Sequence, residues 1–60
     1  MTTTTNDEQR QAIFRAIIEA QDAGTLVAQS RTEAARQFGV TVEDVKAIER
    51  EGIEKQWPPL

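Results

Sequence analysis

The chain contains no cysteine and no histidine. The first absence excludes a disulfide framework and a thiolate metal site. The second removes the commonest metal ligand and the commonest general acid or base near neutral pH. Ser30 is better read as a helix cap than as a nucleophile, and the carboxylates are scattered along the chain. We therefore expect no catalytic residues, no metal, no cofactor and no small-molecule ligand, and do not read the chain as an enzyme. Aromatic residues are scarce, with two phenylalanines, one tryptophan and no tyrosine. No apolar run approaches the ~20 residues of a membrane-spanning helix. Met1 and the four threonines after it lack the basic-then-apolar order of a signal peptide. The expectation is a soluble cytoplasmic protein with no membrane partner.

Sixty residues make one small domain, of a size that hides only about 60% of the surface its unfolded form exposes. Seven cations stand against ten anions, a net charge of −3. A dedicated nucleic-acid binder usually carries a basic balance or a basic stripe, so the overall charge weighs against strong DNA affinity, and the local distribution has to decide.

What is present is helical periodicity, with no strand pattern and no internal repeat. Residues 1–5 read as a flexible tail, 6–57 as the domain, and 58–60 as a short C-terminal tail. Asn6 is placed to cap a first helix over about residues 7–23, with Gln9 in the reciprocal capping position. Ile13, Phe14, Ile17 and Ile18 recur at helical spacing, and Gly24 closes the helix just past its end. Thr25–Gln29 reads as a connector whose Leu26 and Val27 fold into the core. Ser30 with Glu33 reads as a capping box for a second helix near residues 31–38, and Thr41 with Asp44 as another for a third helix ending near Gln56, before Pro58. The expected core is Ile13, Phe14, Ile17, Ile18, Leu26, Val27, Ala34, Ala35, Phe38, Val40, Val45, Ile48 and Ile53. The fold class is all-α, a three-helix bundle.

Within it, residues 32–50, TEAARQFGVTVEDVKAIER, read as a helix-turn-helix. Ala34, Ala35 and Phe38 share a face of one short helix, and Val45 and Ile48 share a face of the next. Two helices crossing through a tight turn need that arrangement. Gly39 supplies the positive φ that ends the first of them, and Val40 plugs the corner.

The run RTEAARQFGVTVEDVKAIEREGIEK, from Arg31 to Lys55, resembles the C-terminal helix-turn-helix of bacterial sigma factors, the fourth region, which reads the promoter −35 element. Phe38, Val40, Thr41, Glu43, Val45, Ile48, Glu49 and Lys55 match that family's pattern, and Ile53 stands in for its leucine. The resemblance implies a role in transcription with the third helix in the major groove. It implies that Glu43 contacts a base, that Lys46 faces DNA and that Thr41 is a phosphate-contacting cap. The chain departs from the family at Val42 and Asp44, where arginine is common, at Ala47, where glutamine is common, and at Gly52, where alanine would be better by about 1 kcal/mol of helix propensity. The regions of a sigma factor that bind core polymerase and melt promoters have no counterpart among these residues. The expectation is a stand-alone module of that type, or a fragment.

In such a fold the second helix crosses the DNA backbone and the start of the third meets base edges. Glu43, Ala47, Arg50 and Glu54 fall opposite Val45, Ile48 and Gly52, with Lys46 beside them. Glu43 is suited to accept from a cytosine amine, and Ala47 to approach a thymine methyl. Arg31, Arg36, Lys46 and Arg50 are the candidate phosphate contacts, with Thr41 and Val42 at the helix start. Four engaged cations give a log–log salt slope of about −3.6, weak for an isolated module. The same charges also suit mutual pairing along the helix, Glu43 with Lys46, Arg50 with Glu54 and Glu51 with Lys55. That second pattern fits a module binding RNA polymerase or another regulator without touching DNA. Trp57 and Leu60 read either as a staple over a core short of apolar area or as a protein-docking element.

Overall fold

The structure, a computed structural model, describes residues 7–60. The expected tail 1–5 and the Asn6 cap lie outside them. Three α-helices follow in order: α1 Asp7–Asp22, α2 Val27–Phe38 and α3 Val42–Lys55, with no strand among the described residues. Each helix packs against both of the others.

Local chemistry sets most of the boundaries. Gly24 takes φ +100° and gives its N–H to the Gln21 carbonyl, while Thr25 reaches back to Ala20. This paired return satisfies the last carbonyls of α1. Gly39, at φ +71°, ends α2, and both its N–H and that of Val40 go to the Ala35 carbonyl. Thr41 caps α3. Its hydroxyl accepts from the Asp44 N–H at 3.0 Å, and the Asp44 carboxylate accepts from the Thr41 N–H at 3.3 Å. A reciprocal box of this kind contributes about 0.5–2 kcal/mol.

The start of α2 differs from expectation. The helix begins at Val27, with Leu26 before it and no side-chain cap. Leu26 is 72% exposed and Val27 is exposed too, so neither joins the core. Ser30 lies inside the helix, buried, and is no cap. Its hydroxyl donates to the Val27 carbonyl at 2.7 Å and accepts from the Gln21 amide at 3.3 Å. A serine can return its proton to the preceding turn in this way, and here that frees its oxygen to tie α2 to α1. Glu33 accepts from Gln29 instead of reaching a cap.

The core comprises Ile13, Phe14 and Ile17 of α1, Ala34 and Ala35 of α2, Val45 and Ile48 of α3, and Trp57, with Ile18, Phe38, Val40 and Val42 half-buried against it. Ile53, expected inside, is 55% exposed; it follows buried Gly52 and turns off the apolar face. Beyond α3, Gln56 takes the left-handed conformation at φ 55°. It reverses the chain so that Trp57 lands edge-on against Phe14, ring centroids 6.0 Å apart. Trp57 is 7% exposed and Leu60 stays outside. Of the expected staple, only the indole covers the core.

Candidate nucleic-acid interface

Helix α3 presents four sides, each with its own chemistry. The inward side is Val45, Ile48 and Gly52, all buried. The side toward α1 carries Glu51, which accepts from Arg10 at 3.1 Å and from Lys55 at 2.8 Å; Arg10 also pairs with Asp7. The side toward α2 carries Glu49, which accepts from Arg31 at 2.9 Å. The outward side is Glu43, Lys46, Ala47, Arg50 and Glu54, every one exposed.

The α1 side is structural. The hydrogen bond from Lys55 holds the Glu51 carboxyl below the ordinary glutamate range; partial burial opposes this, and the Arg10 charge adds to the lowering. Lys55 is raised in turn, by its hydrogen bond to Glu51 and then by that carboxylate's charge. A lowered carboxyl pKa favours the fold above the ordinary value, and the gain is lost as pH falls through the folded value. The stability difference between the parent and Glu51→Gln should therefore be largest near neutrality and shrink below the ordinary carboxylate range, as read in urea melts at stepped pH. A difference independent of pH would contradict this account.

The sequence-nominated residues separate into groups. Arg36, Thr41, Glu43, Lys46, Ala47 and Arg50 are exposed. Val42 is half-buried against the core, which leaves it little to offer a ligand. Arg31 is half-buried and bonded to Glu49, an engagement between residues 18 positions apart that periodicity along one helix does not reveal. Of the expected helical pairs, Glu51–Lys55 forms, Glu43–Lys46 forms loosely at 3.7 Å, and Arg50–Glu54 does not. Among the described residues Arg36 and Arg50 have no carboxylate partner. Trp57, nominated for docking, is a core residue, whereas Leu60 is exposed.

Among the described residues no group of three His, Cys, Asp or Glu side chains is placed to hold a metal ion, and no helix is long and apolar enough to cross a membrane. No protein-family model, curated protein or solved structure matches this chain.

Proposed function

We propose that this chain is a small helix-turn-helix DNA-binding module acting in bacterial transcription, with α2 crossing the phosphate backbone and α3 as the reading helix. The observation that carries this proposal is the open outward face of α3. Five side chains from Glu43 to Glu54 stand clear of the protein, while Val45, Ile48 and Gly52 anchor the opposite face. A reading helix needs that division, because its base-contacting side must meet no protein backbone. Glu43 is the candidate base reader, and Arg36, Lys46 and Arg50 are the phosphate contacts. With Arg31 held by Glu49, three cations remain, which lowers the expected salt slope to about −2.7.

Titration with duplex DNA at two salt concentrations tests the proposal. Amide shifts are expected over residues 41–50, weakening steeply with salt. Lys46→Ala should lower affinity on every sequence and flatten the salt slope by about 0.9. Glu43→Ala should relax preference at one base position in selection from a randomised duplex pool. If no shift appears in α3 at any salt, the proposal fails. The rival, a module that binds RNA polymerase or another regulator without DNA, draws on the exposed Leu26, Ile53 and Leu60. It gains if shifts with a protein partner centre on those residues while DNA produces none.

A further inference from the structure

The groove between α2 and α3 is lined by Arg31, Lys46, Glu49, Arg50, Ile53 and Glu54. Three cations from two helices meet there, yet only one of them is bonded to a carboxylate of the groove. Arg31 gives its Nε–H to Glu49 at 2.9 Å, and the two side chains keep only 29% and 13% of their exposure. Lys46 leans loosely outward to Glu43, and Arg50 has no such partner. We infer that this groove receives a phosphodiester of one DNA strand and that Glu49 acts as a brake on binding, competing with the phosphate for Arg31. This rests on the function proposed above.

The physical case is a competition between two oxyanions for one guanidinium. Arginine binds carboxylate and phosphate through the same planar fork of donors. A carboxylate already in place, largely shielded from water, holds that fork at no cost in ordering a ligand. The phosphate must displace it and leave Glu49 half-buried beside a second negative charge. Arg31 therefore contributes little to DNA affinity while it is bonded to Glu49. With that carboxylate replaced by an amide, Arg31 joins Lys46 and Arg50, and one more phosphate is neutralised. Ile53 lies along the groove edge, where it offers apolar contact to a sugar and no competing charge.

The test uses the whole chain and a mixed-sequence duplex, with Kd measured from roughly 50 to 200 mM salt. Glu49→Gln keeps the side-chain shape and removes the charge. Its salt slope should steepen by about 0.9, so its affinity advantage over the parent is largest at low salt and shrinks about 3.5-fold from the low to the high end of that range. Arg31→Ala should leave the parent's salt slope unchanged, since Arg31 there meets no phosphate, and should abolish the steepening in the Glu49→Gln background. Glu19→Gln on α1, paired with Arg15 away from the groove, makes the same change in net charge and should leave the slope unaltered. Melting curves establish that each variant is folded at the temperature of binding. Should DNA bind with a slope that Glu49→Gln does not change, or should Arg31→Ala act equally in both backgrounds, the brake is wrong and the reading helix stands. An absence of binding by both the parent and Glu49→Gln overturns both.

Discussion

Gly52→Ala is expected to destabilise the domain, although alanine is the better helix former. A Cβ at position 52 would stand 2.3 Å from Cδ1 of Phe14, 2.5 Å from Cε1 and 2.6 Å from Cγ. Carbon atoms at ease sit about 3.5–4.0 Å apart, so the ring must move by more than an ångström. It has nowhere to go. Phe14 is fully buried, and Trp57 lies edge-on against it. Overpacking of this kind costs about 1–3 kcal/mol, and a ring so enclosed belongs at the upper end. Subtracting the ~1 kcal/mol of helix propensity that alanine gains leaves a net loss of about 2 kcal/mol. For a domain of this size that lowers Tm by about 8–16 °C. The cause is tested by a second background. In Phe14→Leu the smaller side chain makes room, and Gly52→Ala should there be neutral or stabilising. A Gly52→Ala variant that melts at or above the parent temperature in the unaltered background would show that the contact is not limiting.

Gly52 also marks the boundary of what the sequence made legible. A glycine within a helix reads as a defect in propensity, because the residue it faces, Phe14, is 38 positions away and belongs to another helix. Signals that act within a few residues were readable. Gly24 and Gly39 do end their helices in the left-handed region, and the Thr41–Asp44 box caps α3. The alternation of buried and exposed positions along α1 and α3 follows from their apolar spacing. The same local logic misplaced the start of α2, because Ser30 and Glu33 have the composition of a capping box, and the serine serves the helix interior just as well by bonding the turn before it. Leu26, Val27 and Ile53 have the apolar character of core residues and nothing else in the sequence to place them there. For Ile53 the angular position argued otherwise, since its neighbour Gly52 already occupies the buried face. Of the candidate site, the outward residues of α3 could be named from the wheel. The engagement of Arg31 by Glu49 could not, because it depends on how closely two helices approach.

These long-range pairs bear on function as well as on fold. Arg10–Glu51 and Arg31–Glu49 flank α3 on two sides and add to the buried Val45, Ile48 and Gly52 face in setting its rotation about its own axis. That rotation decides which residues face outward. A turn of α3 by one position, about 100°, would swing Glu43 and Arg50 away from solvent. Each pair removes a cation from the surface and returns orientation of the proposed reading face. With Arg31 and Arg10 so committed, the outward face is close to electrically balanced, Glu43 and Glu54 against Lys46 and Arg50. Under the proposed function such a face would bind phosphate weakly and leave discrimination to contacts within the groove, so affinity at physiological salt is expected to need a second module or a partner.

Trp57→Ala is expected to unfold the domain. Removing a buried tryptophan costs about 3–5 kcal/mol, and a core of this size supplies only about 3–5 kcal/mol in all. The indole is packed on two sides, its edge against Phe14 and its ring under the Lys55 ammonium at 5.6 Å, while the Trp57 backbone N–H bonds the Gly52 carbonyl at 2.9 Å. Losing it opens a cavity at the α1–α3 seam and exposes the fully buried Phe14. Trp57→Phe keeps an aromatic edge against Phe14 with less volume, and should stay folded with a lowered melting temperature. The parent offers an internal check, because Trp57 is the single tryptophan of the chain. Its emission should shift to the red along the same urea curve that far-ultraviolet circular dichroism follows, as cooperative unfolding of one core requires. It should stay unmoved when duplex DNA is added, since the indole packs on the α1 side of α3. A Trp57→Ala chain that melts cooperatively near the parent temperature would mean that the three helices hold without their staple, and the core would have to be redrawn without residue 57.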